Sequence, residues 1–174
     1  MASERQQTIL DSIVSMAYVW LGRWKNFPQQ RDWYREYLVN SHGWVLKWGP
    51  TGYCMAGAAE VWEKVAGIVI GFDSNHNGIV EWSEKTATPS AAAEWAKTLG
   101  IYRENNPVPG CIVFTDEKED GTISHAGIVT KVHEDGTLTT VEFNFGGDIR
   151  EVRRTKMSKV VGYAYPDVKL SKFI

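Results

Sequence analysis

Apolar positions recur at helical spacing through the first hundred residues and alternate with polar ones after that. Residues 4–21 carry Ile9, Leu10, Ile13, Val14, Ala17, Tyr18 and Leu21 along one stripe, which predicts an amphipathic helix. A second helix is predicted over 28–39, opened by Pro28 and lined by Trp33, Tyr34, Tyr37 and Leu38. Residues 41–53, with Ser-His-Gly and then Trp-Gly-Pro-Thr-Gly-Tyr, read as a loop. A third helix is predicted from Cys54 through Ala56, Ala59, Val61, Trp62 and Val65. A fourth opens with Thr88 as cap and Pro89 in its first turn and ends near Gly100.

After Gly110 the period falls to two. Cys111–Thr115, Ser124–Val132, Leu138–Asn144, Ile149–Arg153 and Val160–Tyr165 are predicted strands, with Glu119-Asp120-Gly121 and Glu134-Asp135-Gly136 as turns. Helices followed by antiparallel strands imply an α+β fold. The domain is expected over 1–168, with 169–174 as a tail.

At 174 residues the chain can bury a core without disulfide staples. A net charge of −2 offers no footprint for nucleic acid. No apolar run reaches the ~18 residues that a membrane span needs, so membrane insertion is not expected. The start, Met-Ala-Ser-Glu-Arg-Gln-Gln, lacks the basic-then-apolar pattern of a signal peptide. The expectation is a monomer made in the cytoplasm that leaves, if it leaves, by a route needing no such leader. Of the two cysteines, Cys111 sits in the apolar run Cys-Ile-Val-Phe and reads as a buried small residue.

Cys54 stands at a predicted helix start, where unpaired backbone N–H groups and the helix dipole favour a thiolate and can hold an oxyanion. His125 lies in Ser-His-Ala-Gly-Ile-Val, where small Ala126 and Gly127 leave space for an approaching group. On the next strand Glu142, Phe143 and Asn144 alternate, so Glu142 and Asn144 share a face. A two-residue turn at Asp135-Gly136 would pair Glu134 with Thr137 and set His125 opposite Gly146. In that register Asn144 is nearer the imidazole and Glu142 farther, and a bulge would change the order. Either group could orient the ring as the third member of a triad.

Asp73, Asn75, Asn77, Gly78, Ile79, Glu81 and Glu84 match positions 1, 3, 5, 6, 7, 9 and 12 of an EF-hand loop. That spacing gathers hard oxygen ligands for Ca2+, with Ile79 offering its carbonyl and Glu84 both oxygens. A structural or activating ion that pins the nucleophile helix is expected. An Asx-rich turn is the competing reading.

These parts, in order, resemble the CHAP domain (cysteine- and histidine-dependent amidohydrolase/peptidase). The resemblance is carried by Gly52-Tyr53-Cys54, the Trp95 helix, Val108-Pro109-Gly110, Ser124–Val129, Val141–Gly146 and the closing Val161–Pro166. It implies a papain-like fold and cleavage of an amide bond in bacterial peptidoglycan, as an amidase or endopeptidase. It also implies a catalytic group of Cys54, His125, Glu142 and Asn144, as in phage lysins that reach the wall after holin release or from a virion. Three positions depart from the family pattern. Tyr53 stands where many members have a glutamine, Cys111 follows Pro109-Gly110 where aspartate is usual, and residues 44–53 hold no aspartate for the calcium site of some phage members. Two rival readings are an antibacterial effector exported from a bacterium and a non-catalytic calcium-binding module.

Overall fold

The computed structural model of the chain describes residues 3–42, 53–86 and 88–173. Within them, helices α1 (Glu4–Asn26), α2 (Arg31–His42), α3 (Tyr53–Val61) and α4 (Pro89–Thr98) precede most of an antiparallel sheet. Its strands are β1 (Tyr102–Arg103), β2 (Ile112–Thr115), β3 (His125–Val132), β4 (Leu138–Phe145), β5 (Asp148–Arg154) and β6 (Val160–Ala164), in the order β1-β6-β2-β3-β4-β5. This is the expected α+β fold, with N-terminal helices on an antiparallel sheet. Helix α1 runs five residues past its expected end, whereas β2, β3 and β6 are each one residue shorter than the sequence pattern suggested. Ser3 caps α1 through the Gln6 N–H, and α2 continues through Ser41 and His42. Of the segment read as a loop, residues 43–52 lie outside the described residues.

Every residue of α3 is buried, which marks it as the central helix. Its Ala56-Gly57-Ala58-Ala59 run lets the sheet come close. A Cβ on Gly57 would lie 2.1 Å from Phe143 Cγ, inside the ring's own space. Ile13, Trp20, Leu38, Met55 and Trp62 pack from the helices against Phe114, Ala126, Ile128, Val141 and Phe143 of the sheet. A smaller cluster of Cys111, Val113, Val129, Leu138 and Tyr163 forms apart from that core. Cys111 is fully buried there, as the apolar run predicts, and burial pushes its thiol up to about 11.

Helix α3 passes into a π-turn, Trp62–Ala66, and stops at Gly67, whose φ of 64° is a left-handed cap. Residues 169–174 were set apart as a tail, yet the chain through Phe173 is docked. The Lys172 N–H donates to Gly67 O at 2.8 Å, and Leu170 packs against the main core.

The β3–β4 register differs from the two-residue-turn expectation. The loop is Glu134–Gly136, closed by His133 and Thr137, with Gly136 at φ 82°. Val132 pairs with Leu138 and Lys131 with Thr139. A bulge at Thr130 then shifts the ladder to Val129–Thr140 and Ile128–Val141. Without that extra residue, His125 and Glu142 would project from opposite faces.

Gly57→Ala is expected to lower stability by about 1–3 kcal/mol, because the methyl meets a fully buried ring. At this chain length that is a fall in Tm of several degrees, about 2–4 °C per kcal/mol, read by calorimetry. An unchanged Tm would contradict the close approach of α3 to β4.

Candidate active site

Cys54 is the second residue of α3, so its side chain sits in the helix's first turn, among backbone N–H groups that have no intrahelical acceptor. Its thiol is free and 6% exposed. His125 opens β3, and the Cys54 thiol lies close enough to its imidazole to favour the ring's charge. The ring is 8% exposed.

On the other side of the imidazole, Nε2 lies 3.3 Å from Glu142 Oε2. The ring N–H does not point along that line, and Nε2 has no aligned hydrogen bond. The contact is therefore an ion-pair approach, the loose geometry common before substrate binds. Burial works against charge on His125. The Cys54 thiol and the Glu142 carboxylate outweigh it and raise the imidazole to about 9.

The space beside His125 that the sequence left open belongs to Glu142. A Cβ on Gly127 would fall 2.7 Å from Glu142 Cγ, so glycine there admits the carboxylate. Glu142 itself is wholly buried. Its Oε1 accepts from Arg154 Nε at 2.6 Å and Thr140 Oγ1 at 3.1 Å, and its Oε2 accepts from Arg154 Nη2 at 2.9 Å. Burial opposes its charge, but His125 and Arg154 prevail and hold the carboxyl below its usual range. Glu142, which the simple register set farther from the imidazole, is thus brought against it. Asn144 lies two residues on, at a bulge in the β4–β5 pairing, with a left-handed φ of 57°.

Sequence reasoning missed two members of this cluster. Arg154 is 7% exposed and also reaches Glu117 Oε1 at 2.6 Å. Glu117 in turn meets Lys159 at 3.4 Å and the Thr115 hydroxyl at 2.8 Å. The available signal was an arginine on the strand after Glu142, two residues beyond Val152 and so on the same face. Tyr53, at the glutamine position of the family pattern, is also buried. Its hydroxyl donates to Gly147 O at 2.7 Å and accepts from the Asn144 N–H, so it ties α3 to the β4–β5 turn.

The 73–84 segment folds as a compact loop. Asp73 Oδ1 and Oδ2 accept from the N–H groups of Asn77 and Gly78, and Asn77 Oδ1 accepts from the Ile79 N–H. Glu84 takes the Ser74 hydroxyl and N–H on one oxygen and the Glu81 N–H on the other, and the Ser74 hydroxyl leads in holding its carboxyl low. The ends are tied by a Gly71–Lys85 bridge and a short 3₁₀ turn, Trp82–Glu84, not by a pair of EF-hand helices. Asp116–Gly121 repeats the first half, with Asp116 accepting from Asp120 and Gly121, although Lys118 fills the third position. The Asx turn alone therefore does not specify a cation. Glu81 and Glu84 are what the 73–84 loop adds.

Among the described residues, the set of carboxylate and imidazole atoms within 4.8 Å of one another is His42, Glu60 and Glu63. Its charges are closed internally. Tyr37 donates to Glu60 at 2.6 Å, and Lys85 Nζ sits 2.9 Å from both Glu63 oxygens. This group ties α2 to α3 and its π-turn. No helix among the described residues is long and apolar enough to cross a membrane.

A buried helix that carries a cysteine at its start, facing a histidine on an antiparallel sheet, defines the papain-like class. Within that class the chain belongs to the CHAP domain family, whose model matches residues 41–144, more than half of the sequence. Members of this family are cysteine- and histidine-dependent amidohydrolases or peptidases that act on peptidoglycan. Searches of curated proteins and of solved structures return no match to this chain.

The charge on His125 makes stability pH-dependent in a defined direction. Its folded value, about 9, lies above the ordinary 6.5. The stabilisation is full below pH 6.5 and is lost as pH rises through about 9. The Tm difference between the wild type and His125→Gln is expected to shrink across that window in thermal scans. A constant difference would remove the ion pair from consideration.

Proposed function

We propose that this chain hydrolyses an amide bond in the peptide part of peptidoglycan, with Cys54 as nucleophile and His125 as base. The observation that carries the reading is the Cys54–His125–Glu142 chain of contacts at the start of a buried helix. The thiol proton is held on His125, and the thiolate adds to the scissile carbonyl carbon. Backbone N–H at the start of α3 holds the oxyanion. The imidazolium then protonates the leaving amine, and water, deprotonated by the same ring, cleaves the thioester. Glu142 supports the imidazolium throughout. Asn144 completes the catalytic group by resemblance to phage lysins. Tyr53, its hydroxyl committed to Gly147, serves the scaffold and not the oxyanion.

Phage lysin is the setting we favour, and an exported antibacterial effector uses the same chemistry. Cys54→Ala is expected to lower wall lysis by roughly a hundredfold or more with the fold intact. Turbidity loss of a cell-wall suspension measures it, and lysis that survives the change removes Cys54 as nucleophile. Mass spectrometry of the digest distinguishes new peptide amino groups from free lactyl groups, and so endopeptidase from amidase.

The proposal includes Ca2+ in the 73–84 loop, held by Asp73, Asn75, Asn77, the Ile79 carbonyl, Glu81 and Glu84. The turn geometry and the anionic Glu84 fit such an ion, which would supply charge neutralisation to the loop. The loop's links explain how binding there would steady the nucleophile helix. Trp82 Nε1 donates to Asn40 O at 2.8 Å, and Lys85 is paired with Glu63 in the π-turn after α3. Chelation is expected to lower Tm by several degrees, with recovery in excess Ca2+, because a ligand of the native state shifts unfolding by mass action. Asp73→Ala should abolish that response. A wild-type Tm indifferent to chelator and to added Ca2+ ends the claim.

A further inference from the structure

A carboxylate with no solvent contact has two options, to be paired or to take up a proton. Glu142 has His125 on one side, but the aligned, charge-assisted bonds to it come from Arg154, one guanidinium N–H to each oxygen. The fork fixes the plane of the carboxylate and leaves Oε2 facing the imidazole. Arg154 is held in turn by Glu117. From the thiol outward, five groups stand in sequence: Cys54, His125, Glu142, Arg154 and Glu117, with Lys159 at the far end.

We propose that Arg154 is a positioning residue of the active site, which keeps Glu142 ionised and turned toward His125 and so keeps the imidazole charged and aligned for Cys54. It touches neither the nucleophile nor the base, and its effect passes through the carboxylate. This rests on the assignment of Cys54, His125 and Glu142 as the catalytic group. The groups that face this chain are Cys54 from α3, His125 from β3, Thr140 beside Glu142 on β4, and Glu117 and Lys159 from the ends of β2 and β6. Once the guanidinium is removed, nothing else among the described residues brings a fixed positive charge to both Glu142 oxygens. The buried carboxyl then takes up a proton, and the imidazole loses its counter-charge.

The test is an NMR titration of the His125 ring in the full chain, its signal assigned by His125→Ala, together with wall-lysis rates. In the wild type the midpoint is expected near 9. In Arg154→Met it is expected to fall by about a unit or more, with lysis near neutral pH down roughly tenfold or more per folded molecule. Arg154→Lys, which keeps the charge without the fork, should lie between. Glu142→Gln should give the same loss, and adding Arg154→Met to it should cost little more, since the two act as one unit. A midpoint that stays or rises in both Arg154 variants, or losses that multiply in the double variant, would overturn the proposal and leave Arg154 a purely structural residue. If instead His125→Ala and Glu142→Gln lyse like the wild type, the site assignment fails, and this proposal with it.

Discussion

Solvent does not reach Glu142, and an ion in that position persists only where other charges and donors close around it. Arg154, Thr140 and His125 do so, from β5, β4 and β3. The arrangement fixes more than a charge. It sets the imidazole beside a permanent anion, which offsets the cost of burying its own cation and leaves the ring poised against the Cys54 thiol. It also accounts for Gly127, since any side chain there would occupy the volume of the carboxylate. A site of this kind requires the sheet to be right before the chemistry can be.

The sheet is right because of an irregularity. A three-residue loop at Glu134–Gly136 sets the β3–β4 ladder in one parity, and the bulge at Thr130 reverses it. Bulges re-aim side chains, and here the reversal carries Glu142 to the face of His125. Cys54, the proposed nucleophile, is placed by different means. Helix α3 is built from small residues, so Phe143 of β4 fits against Gly57 and the helix start lies near the sheet end. Tyr53 reinforces that placement with its hydroxyl between Asn144 and Gly147. The residue before Cys54 thus has a packing role, where a glutamine would present a donor to the substrate.

Outside this cluster, polar groups link the peripheral segments to the same helix. His42, Glu60, Glu63 and Lys85 connect α2, the π-turn and the end of the 73–84 loop. The loop is therefore mechanically coupled to α3, whatever occupies it. That coupling distinguishes it from the Asp116–Gly121 turn, which has the same Asx hydrogen bonds but leads into β3 and carries Lys118 among its residues.

Helix and strand positions were legible in the sequence because burial imposes a period on each, and the run Leu138–Asn144 or the stripe from Ile9 to Leu21 repeats that period several times. Cys54, His125 and Glu142 were legible because their types are rare in such contexts and carry recognisable chemistry. The family model bears out the resemblance those residues suggested. That Glu142 lies against the imidazole was not legible, because the loop length, the bulge at Thr130 and the irregular β4–β5 pairing beyond Glu142 leave no mark in composition. Arg154 was not either: an arginine among Arg150, Arg153 and Arg154 looks like a solvated edge until the fold buries one of the three. The local pattern singled out which groups are candidates for the chemistry. Only the tertiary structure decided which of them meet, because a buried charge takes its partners from strands that sequence distance does not relate.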